Sequence, residues 1–311
     1  MSCPYYPGVV YQLQLRPQRA AGSLEDPETI QLSIKVLDVF QPITISPVLK
    51  VALASASPSI PTTLTSTMVL KVYDRRYAND LREFYDASDL TLESENAFRA
   101  YMSSEDTGSR RTLNEWTVKR RVDDDHDVEP RPEETEAYLA ALLTSYYENE
   151  VCVYERMASM QGKEIPLFLG RTRFAEVDTH PDMADTEVPG ILLEYVHGTP
   201  LDKLPANAIS SDLCQKCLDI VQAFGDNGIL NQDVRLENFI VPDPSIYTVQ
   251  ERLVVMIDFA QTRLRREDED DQQWKRAKWS ADEEGAVGYV LKKKFGWDYK
   301  PTFRYMVPEE E

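Results

Sequence analysis

The sequence predicts an α+β protein, with a sheet in its front half and mainly helices in its back half. Two patterns support this prediction: β-branched apolar stretches cluster between Ile30 and Tyr73, and the strongest helical periodicity comes after Glu133. The chain has 311 residues, of which 42% are hydrophobic and 28% charged, as expected for a globular protein. This length suits one large domain or two lobes.

The predicted strands are short and most are bounded by turn or loop residues. Pro42 and Pro47 interrupt the first apolar stretch, and Ala54 to Thr67 has the composition of a loop. The strand predictions are Ile30–Leu53 in pieces, Met68–Tyr73, Ile191–Val196, Phe239–Val241 and Leu253–Ile257.

Two long helices are predicted from apolar residues that recur at helical spacing. The first covers about Glu133 to Met160, and the second begins near Ser211 as its cap and ends at Gly225 or Gly228. The tail from Arg266 predicts two shorter helices. The region from Asp74 to about Pro132 is the least regular and is interpreted as an insertion.

The charge balance bears on possible partners. With 34 basic and 53 acidic side chains, the net charge is −19, which disfavours nucleic acid and anionic membrane surfaces as partners. The first 22 residues lack the apolar core of a signal peptide, and no apolar run is long enough to cross a membrane. The prediction is therefore a cytoplasmic protein.

Two charged residues stand at positions where their partners matter. Lys71 lies in an apolar strand, where it shares a face with Val69 and Tyr73, so it needs either an anionic partner or access to water. Glu150 lies beside the apolar stripe of the first long helix. It could pair with a lysine on a neighbouring strand or lie on a solvated flank, and the residues alone leave both possibilities open.

Oxygen-bearing side chains cluster in two later segments. Asp233 and Asn238 follow a helix end, and Asp258 ends the apolar strand Leu253–Ile257. Magnesium prefers oxygen ligands and takes one or two carboxylates together with phosphate oxygens. The two segments therefore predict a site for a divalent cation that holds a triphosphate.

The order of these motifs resembles the protein-kinase-like fold. Asp-x-x-x-x-Asn from Asp233 and Ile-Asp-Phe at Asp258 resemble its catalytic loop and metal-binding triplet, and the Lys71 strand resembles its third strand. The chain is also similar to small fungal kinase-like proteins near the aminoglycoside-phosphotransferase branch. The resemblance implies two lobes with a shortened C-terminal lobe: an N-terminal extension (1–29), an N-lobe (30–196, with the insertion at about 74–132) and a helical C-lobe (197–311).

The resemblance implies a phosphotransferase that uses ATP and Mg²⁺ and acts on a small-molecule or protein acceptor. Asp233 would accept or position the acceptor hydroxyl, and Arg235 would stabilise charge on the transferred phosphoryl group. Asn238 and Asp258 would bind Mg²⁺.

The same resemblance implies the nucleotide contacts. Lys71 would hold the α- and β-phosphates, and Glu150 would orient Lys71. The adenine contacts would be backbone groups of Glu194 and Val196, the Val69 side chain above the ring and Ile240 below it.

The sequence also departs from the family pattern. The turn Thr44–Pro47 has no glycine to cradle phosphate, Asn231 replaces the usual histidine, and Ala260 replaces the glycine of the triplet. Only 53 residues follow Asp258, and no Ala-Pro-Glu triplet appears among them. An alternative therefore stays open, namely a pseudokinase that binds nucleotide or serves as a scaffold without phosphotransfer.

Overall fold

The computed structural model describes residues 2–19, 27–55, 64, 67–88, 90–103, 131–175, 188–247 and 252–306. It is a mixed α/β structure that divides into two compact units. The first comprises Met1–Tyr147 and Leu169–Leu193, and the second comprises Glu148–Phe168 and Glu194–Glu311. No helix in these described ranges combines the length and apolar character that a bilayer crossing requires.

A closed barrel of six strands forms the first unit, in the order β1-β2-β3-β4-β6-β5. Its strands are β1 (Val10–Pro17), β2 (Ile30–Val39), β3 (Val48–Leu53), β4 (Met68–Val72), β5 (Phe168–Phe174) and β6 (Pro189–Glu194). Strand alternation sends every second side chain inward, so Leu13 and Leu32 pair across β1 and β2 and are both buried. The predicted strands in this half of the chain are confirmed.

Strand β1 lies within residues 1–29, for which no strand was predicted. Tyr11, Leu13 and Leu15 alternate there with Gln12, Gln14 and Arg16, which is the period of a half-buried strand. The apolar set is buried in the barrel core. The signal was therefore present in the sequence, although the pairing of β1 with β5 joins segments far apart along the chain.

The region from Asp74 contains two helices where the sequence predicted irregular chain. These are α1 (Asn79–Phe84) and α2 (Leu92–Ser103). Arg75 joins α2 to the next helix, because its guanidinium lies 2.6 Å from Glu95 and 2.5 Å from Glu136, all three being buried. The loops predicted at Asp123–Pro132 and Ala54–Thr67 fall mostly outside the described residues.

The first long helix, α3 (Pro132–Arg156), confirms the predicted helix from about Glu133. A short 3₁₀ turn at Ala158–Met160 follows it. The predicted apolar stripe of Tyr147, Val151 and Tyr154 is buried. The helix runs from the first unit into the second, with the division after Tyr147.

Three helices and two small sheets build the rest of the second unit. The helices are α4 (Ser211–Asp226), α5 (Asp271–Ala281) and α6 (Glu283–Phe295). The strands are β7 (Gly198–Pro200), β8 (Ile229–Asn231), β9 (Phe239–Pro242), β10 (Val255–Met256) and β11 (Thr262–Leu264). They form the sheets β10-β9-β7 and β11-β8.

Helix α4 confirms the predicted apolar face and corrects the predicted cap. Ser210, rather than Ser211, accepts the Leu213 N–H at 3.1 Å, because the helix begins at Ser211, one residue earlier than the pattern suggested. Gly228, with φ of +66°, provides the left-handed residue at the turn into β8. The two short helices predicted in the tail are confirmed as α5 and α6.

Candidate active site

The loop after β8 holds Asp233 in a turn built by its own neighbours. The Asp233 N–H donates to Asn231 Oδ1 at 2.9 Å, and the Gln232 N–H donates to the Gln261 carbonyl at 2.9 Å. The second bond continues the pairing of β8 with β11, in which Asn231 faces Thr262. The loop that starts at Asp233 is therefore fixed to the segment that follows Asp258.

Asn238 closes the other end of this loop. Its Nδ2 donates to the Asp233 carbonyl at 3.0 Å and approaches Asp233 Oδ2 at 3.5 Å. The Ile257 N–H donates to the Asn238 carbonyl at 2.8 Å, which extends the ladder between β9 and β10. This bond sets Asn238 next to the residue that precedes Asp258.

Asp258 thus lies between two ladders that both connect it to the Asp233 loop. β9 and β10 pair before it, and β8 and β11 pair after it. Its φ of +65° is in the left-handed region, which is unfavourable for a residue with a Cβ and is maintained by the paired segments on both sides. Phe259 anchors the turn in the core, with its ring centroid 5.3 Å from that of Tyr154 and 5.1 Å from that of Phe224.

The pKa of Asp233 reflects its proximity to Arg235 and Asp258. Partial burial raises its pKa above the ordinary value, the Arg235 guanidinium lowers it, and the negative charge of Asp258 raises it. The Arg235 Nη2 lies 2.7 Å from Asp233 Oδ2. Arg235 therefore pairs with the carboxylate two residues before it, a contact that the sequence analysis did not anticipate.

A buried ion pair that the sequence did not predict, Lys278–Glu283, stabilises the start of the Asp233 loop. The Asn231 N–H donates to Glu283 Oε1 at 2.7 Å, and Glu283 forms an ion pair with Lys278. Lys278 also donates to the Ile229 carbonyl at 3.3 Å. Burial lowers the pKa of Lys278 and raises that of Glu283. Glu283 follows the helix cap Asp282 in the sequence, and nothing in that local pattern indicates a partner 52 residues away.

Glu150 lies in the second unit and is fully buried, with 0% of its surface exposed, so the solvated flank is the wrong alternative. The pKa of Tyr154, four residues later on the same helix, indicates which charges lie near Glu150. Burial raises the pKa of the Tyr154 phenol strongly, and the charges of Glu150 and Asp258 both raise it further. Tyr154 therefore lies near both carboxylates.

Lys71 lies in the first unit, on β4 of the barrel. Met68, Leu70 and Val72 point into the barrel core, and Lys71 shares the opposite face with Val69 and Tyr73, as predicted. Its Nζ lies 5.7 Å from the centroid of the Tyr73 ring, and only 5% of the residue is exposed. The alternative of an edge-strand lysine that reaches water is wrong, because β4 is an inner strand between β3 and β6.

The predicted backbone contacts to adenine are Glu194, the last residue of β6, and Val196, two residues later. The Glu194 N–H donates to the Leu167 carbonyl at 3.0 Å, and its carboxylate binds Arg252 at 2.5 Å. Glu194 can therefore offer a ligand its carbonyl but not its N–H. Among the described residues, the Val196 N–H donates no hydrogen bond. Ile240 is half-buried on β9.

The structure thus brings together Asp233, Arg235, Asn238 and Asp258, and it places Glu150 and Asp258 near Tyr154. Lys71 and Val69 belong to the first unit. Within the described ranges, no group of three or more His, Cys, Asp or Glu side chains could hold a metal ion. A cation at Asn238 and Asp258 would need further ligands from a bound molecule.

No protein-family model and no curated protein matches this chain. Among solved structures, the chain is similar to the Rio2 kinase–ADP/Mg²⁺–phosphoaspartate complex from Chaetomium thermophilum, with 12% identity and a TM-score of 0.44 over 87% of this chain and 60% of that one. Another structure of Rio2 kinase from the same organism gives 13% identity and a TM-score of 0.42, over 87% and 61% of the two chains. The chain thus spans about three fifths of the length of these proteins.

Proposed function

We propose that this protein is an ATP-dependent phosphotransferase of kinase-like fold that transfers the γ-phosphoryl group of Mg–ATP to a hydroxyl acceptor. One observation carries the proposal: Asp233, Asn238 and Asp258 converge where the ladders β8–β11 and β9–β10 meet. A proton acceptor beside two oxygen ligands is what such a transfer needs from a protein, since the reaction depends on positioning and on charge neutralisation.

The donor set of this site fits Mg²⁺. Asn238 uses its Nδ2 to bind Asp233, so its Oδ1 can face a cation, and Asp258 adds a carboxylate. Both are hard oxygen ligands, and Mg²⁺ commonly takes only one or two protein ligands together with phosphate oxygens. When bound, the ion would neutralise charge on the phosphates.

Asp233 acts in this proposal as the group that receives the proton of the acceptor hydroxyl. Its raised pKa makes the carboxylate a better proton acceptor than an ordinary aspartate. Arg235 lowers the pKa of Asp233 in the absence of acceptor, and it is proposed to stabilise charge on the phosphoryl group during transfer.

The nucleotide contacts are part of the same proposal. Lys71 would hold the α- and β-phosphates, with Glu150 orienting it, and the burial of both residues is typical of charges that need a partner. The adenine would take the Glu194 carbonyl and the Val196 N–H. Val69 and Ile240 are proposed to cover the ring faces.

The wider setting is also proposed rather than shown. A net charge of −19 supports a cytoplasmic protein whose acceptor is neither nucleic acid nor a membrane surface. The resemblance to small fungal kinase-like proteins and to aminoglycoside phosphotransferases, with two lobes and a short C-terminal one, belongs to this proposal as well.

A second candidate, a pseudokinase, is favoured by two specific observations. Arg235 already occupies one oxygen of Asp233, at 2.7 Å. The turn between β2 and β3 has no glycine, and its Thr44 and Pro47 carbonyls accept the N–H groups of Asp80 and Val72. This turn is bound to its own unit, and its Pro47 has no N–H to offer a phosphate.

Titration calorimetry with ATP, in the presence and absence of Mg²⁺, tests the metal site. We expect Mg²⁺ to tighten ATP binding to the wild type and to have little effect on Asp258→Asn. Asp219→Asn, which removes an exposed carboxylate from α4, is the matched control and should behave like the wild type. No ATP binding by the wild type at millimolar concentration would refute the phosphotransferase and leave only a pseudokinase that serves as a scaffold without nucleotide.

Turnover then separates the two candidates. We expect the wild type to release ADP from Mg–ATP, and Asp233→Asn to lose that activity by about 10²-fold or more while still binding nucleotide. Equal turnover by the two proteins would show that Asp233 is not the proton acceptor. Binding without any turnover would favour the pseudokinase.

A further inference from the structure

The second unit contains an aromatic cavity of about 370 Å³ that is formed by α4, the α5–α6 junction and the segment after α6. This volume is within the range of small-molecule sites. Its aromatic lining consists of Trp279, Tyr289, Tyr299, Phe303 and Tyr305. Trp279 is 46% exposed, Tyr289 51% and Phe303 56%, which is unusual for rings of this size.

Among the described residues, lysine and arginine side chains make cation–π contacts with only one ring of this lining, that of Tyr305. Lys278 Nζ lies 5.3 Å from the Tyr305 centroid, and the guanidinium carbon of Arg304 lies 5.6 Å from the same centroid. In the part of the chain that the structure describes, no lysine or arginine lies over any of the other four rings. The rings of Trp279, Tyr289 and Phe303, which are about half exposed, are therefore available to a cation from outside.

The charges around the cavity do not balance. Lys278 pairs with Glu283, and Arg304 pairs with Asp226. Asp282 and Glu284 also line the cavity, and within the described ranges neither has a basic side chain within ion-pair distance. The two pairs cancel, so the lining keeps two uncompensated negative charges.

Neutral groups orient these two carboxylates. Asp282 Oδ1 accepts the Gly285 N–H at the start of α6, and Glu284 accepts hydrogen bonds from the Tyr299 hydroxyl and from Thr302. Burial raises the pKa of Tyr299, and the charges of Glu284 and Asp282 raise it further. The negative field thus extends over an aromatic ring of the cavity.

We propose that this cavity binds a small organic cation that carries a quaternary ammonium group. Such a group has no hydrogen to donate, so it gains most from ring faces and from nearby carboxylates whose own hydrogen-bond needs are met. An anion would be repelled by Asp282 and Glu284, and a neutral apolar molecule would gain nothing from them. This binding is separate from the proposed phosphotransfer, whose residues do not line the cavity.

Tetramethylammonium chloride is the probe, and the indole N–H signals of the tryptophans in the full-length protein are the readout in a ¹H–¹⁵N NMR titration. Trp279→Phe assigns the Trp279 signal. We expect a saturable shift of that signal with tetramethylammonium. Neither tert-butanol, a neutral molecule of similar size, nor sodium chloride at equal ionic strength should reproduce it.

Variants test whether the named groups are responsible. Asp282→Asn with Glu284→Gln keeps the hydrogen-bonding shapes, including an N-cap, and should weaken binding about tenfold by removing both charges. Phe40→Leu changes an exposed aromatic residue of the first unit, which does not line the cavity, and should leave binding unchanged. A thermal melt of each variant checks that it is folded.

Three results would overturn the proposal. One is the absence of a saturable shift up to a 100-fold molar excess of tetramethylammonium over protein. Another is an equal response to tert-butanol, which would make the cavity merely apolar. The third is unchanged binding in a folded Asp282→Asn/Glu284→Gln protein.

Discussion

Replacing Lys278 by methionine tests whether the buried pair under the Asp233 loop holds the second unit together. Lys278 and Glu283 are each 3% exposed at the side chain, and Glu283 also receives the Asn231 N–H. Removal of one partner leaves the other charge buried without compensation, which costs about 3–5 kcal/mol in comparable pairs. We therefore expect Lys278→Met to lower the free energy of unfolding by about 3 kcal/mol.

Equilibrium urea unfolding, followed by tryptophan fluorescence, measures this change. Trp274, Trp279 and Trp297 all lie in the second unit and report its unfolding. Lys216→Met is the matched control, because Lys216 pairs with Glu164 at 2.9 Å but its side chain is 34% exposed. That variant should lose about 0–1 kcal/mol, the usual value for an exposed pair.

The double variant Lys278→Met/Glu283→Gln sharpens the test. It removes both charges together, so we expect it to recover part of the stability that the single variant loses. The reasoning is refuted if Lys278→Met costs no more than Lys216→Met, since the buried charge would then carry no penalty.

Two further predictions concern pH. Arg235→Gln removes the group that lowers the pKa of Asp233, so the acid limb of the pH profile of kcat/KM should move to higher pH; an unmoved limb would show that Asp233 does not control it. Hydrogen bonds from Arg263 hold the pKa of Glu269 at about 2, below the unfolded value of about 4.3, so Glu269 should contribute stability above about pH 4.3 and lose that contribution as pH falls toward about 2. The loss of unfolding free energy in Glu269→Gln, measured against wild type from pH 7 to 3, should shrink with acidification; a constant difference would contradict this.

The sequence predicted where Asp233, Asn238 and Asp258 lie relative to the neighbouring helices and strands. Asp233 and Asn238 follow the end of α4 and β8, and Asp258 follows β10, as the apolar patterns indicated. Helix α4 itself was predictable because its apolar face repeats within a few residues along the chain. The roles of these residues in catalysis stay a proposal.

Other features of the site could not be read from local patterns. Glu283 reaches Asn231 across 52 residues, and Arg252 reaches Glu194 across 58. A charged residue has the same appearance in a sequence whether it ends in water or against a buried partner. Glu150 is an example, since only the packed structure shows that it is fully buried.

The sequence by itself determined the positions of α3, α4 and most strands, because apolar periodicity acts over a few residues, but it did not predict β1, α1 or α2. The tertiary structure decided which distant segments pair: β1 with β5 in the barrel, and β8 with β11 beside Asp258. The physical reason is that strand pairing and the burial of charge depend on the total free energy of the packed chain. That free energy depends on contacts between segments that lie far apart in the sequence.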